Sequence, residues 1–462
     1  MTDSRADSSR AAVWTIPPAG RRYLAVMAAT PTTATSRYWH PFADMGAVSQ
    51  RELLIERGEG VWVYDADDRR YLDGTASLWY ANIGHGREEV AEAVAAQMRR
   101  LEAYSTFGDF GNRPANEVAE RLASLAPMDG ARVFLASGGG DAIDAAAKIA
   151  RRHWVQEGQP ERMHLISRTQ GYHGTHGFGT SIGGIEANTS NWGPLIPHTS
   201  AVAFDSLPAL EAEIERIGPD RVAAFFCEPV IGAGGVHLPP EGYIQGVADL
   251  CAEHGILFVV DSVICGFGRL GTWFGIERWE DARPDMITFA KGVTSGYLPL
   301  GGVVVSDVVA GPFFEAAGGP MLRHGATYAG HPSVCAAALA VMNIYENEGL
   351  LERGQELERP LADALAPLAD HPAVSEVRAG LGLLAAVQLS PETLEADAGA
   401  VARVAQGARE AGALIRPLLG AVAVSPPLTV EQEHLDLLAE AIRHGLDSLD
   451  SAPARPDPSS GG

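Results

Sequence analysis

Five short apolar runs, at residues 132–136, 223–227, 256–260, 286–289 and 302–305, recur along a chain whose intervening stretches carry helical periodicity. Runs this short, without polar alternation, predict strands buried on both faces. The stretch 243–254 sets Ile244, Val247, Leu250 and Cys251 on one helical face and stops at Gly255. Strands alternating with helices imply an α/β fold with a mainly parallel central sheet covered on both sides. From about residue 336 helical patterns dominate, with a strand-like piece at 383–389, which predicts a smaller second α/β domain. In open sheets of this kind ligands sit beyond the carboxyl ends of the strands. Several residues with reactive side chains directly follow an apolar run.

The chain is long enough, at 462 residues, for two or three lobes. The expected division is a tail at 1–36, a segment at 37–90 that joins the small domain, a large domain at 91–335, the small domain at 336–450 and a tail at 451–462. Met27, just before the domain-like region, is a candidate natural start. No internal repeat is visible.

Charge excludes one class of function. With 35 basic and 58 acidic side chains the net charge is −23, which opposes nucleic-acid binding. Cys227, Cys251, Cys265 and Cys335 have neither zinc nor redox spacing, so no metal is expected and a reducing compartment fits. No apolar run approaches the roughly 20 residues needed to span a bilayer. The expectation is a cytoplasmic protein.

Lys291 ends an apolar run and is followed by glycine. Desolvation there lowers an amine's pKa and makes it nucleophilic, as Schiff-base chemistry requires; a lysine with its tip in solvent is the plainer alternative. Asp261 ends the run 256–260, where a carboxylate needs a cation or several donors. A protonated ring nitrogen would serve, and so would an N-cap or ion-pair arrangement. Ser137-Gly-Gly-Gly-Asp-Ala142 opens a helix, where glycine backbone and helix N-terminus favour an anion. The same residues also suit a plain tight turn.

Taken in order, the glycine loop, Tyr172-His-Gly174, Asp261, Lys291 and His324-Gly-Ala-Thr-Tyr-Ala-Gly-His-Pro332 resemble the class III, pyridoxal-phosphate-dependent aminotransferases. The likeness runs from Trp39-His-Pro-Phe42 to the prolines and leucine at 426–428. Its most specific parts are Asp261-Ser-Val-Ile-Cys-Gly-Phe-Gly-Arg269 and Ala290-Lys-Gly-Val-Thr-Ser-Gly-Tyr-Leu-Pro-Leu-Gly-Gly302. The resemblance implies fold type I and a homodimer with shared active sites. It implies that Lys291 binds pyridoxal phosphate covalently and shuttles the substrate proton, and that Asp261 pairs with the ring nitrogen. It further implies that Val263 and Tyr172 cover the two ring faces, that His173 belongs to the cofactor site, and that Gly139 and Gly140 hold the phosphate with Thr327 of a second subunit.

Two positions depart from that pattern. The phosphate loop, usually Ser-Gly-Ser-Glu-Ala, has one inserted residue and Gly140 where serine is common, so Gly138 could also contribute. Ser262 stands where the family usually has glutamate.

Leu78-Trp-Tyr-Ala-Asn-Ile-Gly-His-Gly86 is similar to the ω-transaminases, which makes Trp79 and Phe42 candidate pocket walls; plain packing of Trp79 is the alternative. Arg416 matches the arginine that binds a substrate carboxylate in this family and swings aside for apolar amines, and a surface ion pair is its alternative. Thr175 replaces the arginine usual in the acetylornithine and 4-aminobutyrate branches, which favours the ω-amine branch. Trp39-His-Pro-Phe42 also resembles diaminopelargonate aminotransferase. The expected reaction is ping-pong transfer from an amine or ω-amino acid to an oxo acid such as pyruvate. Racemase, aminomutase and decarboxylase chemistry share the same cofactor residues. A catalytically idle ligand-binding descendant is opposed by the retention of Lys291 and Asp261.

Overall fold

The computed structural model describes residues 37–315 and 317–450. The two expected tails and Met27 lie outside the described residues. Of the two compact units, one ends at Leu54 and the other begins at Ile55. The first holds the helix Met45–Arg51, whose N-terminus is closed by Asp44 accepting from the Gly46 and Ala47 amides.

The centre of the second unit is a seven-stranded sheet. Its order is Arg132–Ala136, Gly301–Val305, Met286–Phe289, Leu257–Asp261, Val222–Cys227, His164–Arg168, Thr199–Val202. Gly301–Val305 runs antiparallel to both neighbours, and the remaining pairs are parallel. The fold is therefore α/β with a mainly parallel sheet. Val222–Cys227, Leu257–Asp261 and Met286–Phe289 are buried at every residue, as unbroken apolar runs require. Helices Gly139–Gln156 and Tyr243–Glu253 bury their apolar faces and contribute to two separate core clusters.

Two strands of this sheet were not among the expected runs. His164–Arg168 and Thr199–Val202 carry His164, Ser167, Arg168, Thr199 and Ser200, which break the apolar signal. Arg168 is nevertheless buried, because its guanidinium donates to the Glu228 and Phe204 carbonyls.

A four-stranded antiparallel sheet joins Val374–Arg378, Ala385–Leu389, Ala421–Val424 and Arg416–Pro417. Another combines Ile55–Glu59, Trp62–Asp65 and Arg70–Asp73 with the late strand Ala413–Leu414, which pairs in parallel with Arg70–Asp73 through Leu72 and Asp73.

The expected domain boundaries at 90 and 335 fall within helices. A cut after residue 90 divides helix Glu88–Arg100, and one after 335 divides helix Pro332–Asn347. Those two helices pack on each other, and the second buries Cys335, Ala337, Ala338, Val341 and Met342 in the main core. The described residues from Ile55 onward belong to one compact unit. Among the described residues, no helix is long and apolar enough to cross a membrane.

Candidate active site

Asp261 closes its strand as a buried carboxylate, 3% exposed. Left alone there it would be costly, and three donors answer it. Oδ1 accepts from the Val263 amide at 3.1 Å and the Thr288 hydroxyl at 3.2 Å, while Oδ2 lies 2.8 Å from His173 Nδ1. His173 is buried too, so the couple is shielded from solvent. These contacts set the plane and direction of the carboxylate.

Lys291 stands just past the neighbouring strand Met286–Phe289, with part of its surface open. Its φ of +48° is the left-handed region, a conformation that a side chain with a Cβ holds only under constraint. Burial pulls its amine down to about 8, against the opposing pull of Asp261 and Glu228; Arg416 pushes in the same direction as burial. The amine is thus far more available as a nucleophile or base near neutral pH than an ordinary lysine.

The glycine loop meets the same region. Helix Gly139–Gln156 starts after the extended Gly138 and has no side-chain cap at its N-terminus. Its first-turn amides therefore present donors and the positive end of the helix dipole. A Cβ on Gly139 would lie 2.9 Å from Val263 Cγ1, and one on Gly174, at φ +83°, would lie 2.8 Å from the Gly140 Cα. Only glycine lets the Val263 and His173 turns close on this loop.

Tyr172 is half-buried, and burial pushes its phenol up while Arg416 opposes the shift. Arg416 is half-buried as well. Burial lowers it, Tyr172 counteracts, and no carboxylate pairs with it among the described residues.

Glu228 and Thr288 belong to the site without having been expected. Glu228 directly follows Val222–Cys227, near where Asp261 ends the neighbouring strand, and that shared position was the available signal. Its Oε1 accepts from the Tyr172 amide and its Oε2 from the Gly232 amide, both at 3.0 Å. Burial raises this carboxyl, and His173 opposes the shift. Thr288 was hidden because it sits inside an apolar run, fully buried.

The other expected residues are placed differently. Trp79 is 2% exposed at φ +65° and packs in a cluster with Val230, Val236, Ile264 and Cys265. Thr327 is exposed on a turn and lines a separate cavity of about 290 Å³ with Tyr104, Phe107, Tyr328 and His331. Phe42 belongs to the unit that ends at Leu54, where it is 70% exposed. Among the described residues, no group of three or more His, Cys, Asp or Glu side chains could hold a metal ion, and the four cysteines are buried and free.

The donor set fits pyridoxal phosphate: an uncapped helix start closed by glycines for the phosphate, an oriented carboxylate for the ring nitrogen, and an amine of lowered pKa for the aldehyde. Sheet and site together define a pyridoxal-phosphate-dependent transferase of fold type I. The family model for aminotransferase class III matches residues 45–446. A putrescine–pyruvate aminotransferase of Pseudomonas aeruginosa is 35% identical, over 91% of this chain and 98% of the relative. An adenosylmethionine-8-amino-7-oxononanoate aminotransferase of Geobacter sulfurreducens is 34% identical, over 89% and 96%. The crystal structure of a PLP-bound amine transaminase from an uncultivated Pseudomonas species superposes with a TM-score of 0.85 at 36% identity, covering 90% of this chain and 99% of that one. The chain belongs to the class III aminotransferases, enzymes that move amino groups with pyridoxal phosphate.

Proposed function

We propose that this enzyme takes the amino group of an amine or ω-amino acid and delivers it to an oxo acid such as pyruvate, in two alternating half-reactions. One observation carries the substrate class: Arg416 is half-buried beside Tyr172, with no acidic partner among the described residues. Such a guanidinium suits a bidentate carboxylate from an ω-amino acid or oxo acid. An amine without a carboxylate would leave it to turn aside.

Pyridoxal phosphate, when bound, supplies the carbonyl that captures the amine and the ring that accepts electrons. Lys291 Nζ would hold the cofactor between turnovers and carry the proton from the substrate carbon. Asp261, oriented by His173, Thr288 and the Val263 amide, would hold a proton at the ring nitrogen. Gly139 and Gly140 would bind the phosphate through their amides, with Gly138 as a further donor. Val263 and Tyr172 would cover the ring faces, and Glu228 would fix Tyr172 through its backbone. Thr327 of a second copy would complete the phosphate site, so the active unit is a homodimer.

A second acceptor class, the 8-amino-7-oxononanoate type, is favoured by the opening Trp39-His-Pro-Phe42 and by the similarly distant relative that bears that name. The test is the visible absorbance of the loaded enzyme. A band that bleaches with 1-phenylethylamine or β-alanine and returns with pyruvate supports the main reading. Bleaching with these donors but recovery only with 8-amino-7-oxononanoate supports the second, and a band that no amine bleaches overturns both.

A further inference from the structure

Arg269 is the largest fully buried side chain among the described residues. None of its hydrogen-bond acceptors is a carboxylate. Nη1 donates to the Leu383 carbonyl at 2.7 Å and the Pro426 carbonyl at 2.8 Å, Nη2 donates to Asn82 Oδ1 at 2.6 Å, and Nε has no acceptor. Burying a guanidinium against neutral acceptors costs several kcal/mol, so its presence calls for a reason other than stability.

The acceptors come from distant parts of the chain. Arg269 itself ends the segment that begins at Asp261 and Val263. Asn82 follows Trp79, and its own amide group donates to the Phe267 carbonyl at 2.8 Å, which ties it again to the Asp261 segment. Leu383 and Pro426 flank the paired ends of strands Ala385–Leu389 and Ala421–Val424. The second of these strands pairs with Arg416, opposite Ala423. Leu383 also donates its amide to the Arg269 carbonyl at 2.9 Å, so side chain and backbone grip the same strand end. Gly382, at φ +72°, permits the approach, since a Cβ there would overlap the Arg269 carbonyl.

We propose that Arg269 is a specificity-determining positioning residue: it holds the strands that carry Arg416 at a set distance from Asp261 and Lys291, so substrates with a carboxylate depend on it and plain amines do not. The proposal rests on the reading of Arg416 as the carboxylate anchor. A lysine at 269 has one ammonium in place of a planar fork and cannot hold all three acceptors in the same geometry.

The test uses the cofactor-loaded enzyme in single turnover. Bleaching of the visible band is followed with β-alanine and with 1-phenylethylamine, and the ratio of the two second-order constants is compared across variants. R269K should lower the ratio about ten- to a hundredfold, the effect of a misplacement on the ångström scale, while the band itself persists. N82A, which leaves both carbonyl bonds of Arg269 in place, should shift the ratio in the same direction by less. In an R416A background R269K should shift it no further. If R416A moves the ratio and R269K does not, the inference falls while the Arg416 reading stands. If R416A itself leaves the ratio unmoved, the Arg416 reading fails, and this inference with it. Should R269K yield no folded protein, the N82A ratio decides by the same criterion.

Discussion

Replacing Arg416 by alanine removes a half-buried guanidinium that no acidic side chain engages among the described residues. A carboxylate docked about 4 Å away gains roughly 4 kcal/mol at the effective dielectric of about 20 that suits such sites. Arg416 keeps part of its surface in solvent, which screens the attraction, so about 2 to 3 kcal/mol is the expected loss. That corresponds to a fall of roughly 30- to 150-fold in the second-order constant for β-alanine. For 1-phenylethylamine, which has no carboxylate, the expected change is less than about twofold, within the scatter of a surface substitution. The donor half-reaction must be measured alone, because pyruvate also carries a carboxylate and would blur the comparison in steady state. Stopped-flow bleaching of the visible band, with no acceptor present, isolates it. Equal losses for both donors would refute the reasoning, and so would no loss for either.

Three further outcomes follow from the same geometry. Gly139→Ala places a Cβ 2.9 Å from Val263 Cγ1 and should weaken cofactor binding about tenfold or more, read by equilibrium dialysis, because the loop must open by a few tenths of an ångström at its donors. Lys291, lowered to about 8 by burial, reacts only as the neutral amine, so the rate at which apoenzyme captures pyridoxal phosphate should climb as pH rises through about 8 and then level off. A capture rate independent of pH from 7 to 9 would contradict that environment. Asp285 is raised by burial from 3.8 to about 6, opposed by its bond from the Phe258 amide. A raised folded-state value means that its contribution to stability is complete below about pH 4 and lost as pH rises through 6, a change of about 3 kcal/mol. Asp285→Asn should therefore unfold at a higher temperature than the wild type at pH 7, with the gap closing at pH 4 in calorimetry.

Much of the fold and the site's reactive residues could be read from local pattern. The strands Arg132–Ala136 and Met286–Phe289 were expected at their observed bounds from their apolar runs, although only the second is buried throughout; the first, at the sheet's edge, buries Ala136 alone. Lys291 and Asp261 were conspicuous for a related reason. A charged group at the end of a buried strand is expensive unless it has a task or a partner, and that expense is visible in the residues beside it. The partners were not visible. His173 and Thr288 reach Asp261 from separate segments to join the Val263 amide of its own, and Glu228 reaches Tyr172 from the end of the neighbouring strand.

Tertiary structure also decided what periodicity left open. Arg168 lies in a strand, although its charge argued against one, because carbonyls from other segments accept its hydrogens. Strand Arg70–Asp73 pairs with Ala413–Leu414, and helices Glu88–Arg100 and Pro332–Asn347 pack together, contacts between segments hundreds of residues apart. Arg269 closes a glycine-rich turn that marks the family resemblance without showing its partners, and it joins three other parts of the chain. Hydrophobic period and turn chemistry are properties of neighbours in sequence, so the chain alone declares its strands, its helices and its costly charges. Which segment answers each charge depends on closures across hundreds of residues, and only the folded core brings those groups together.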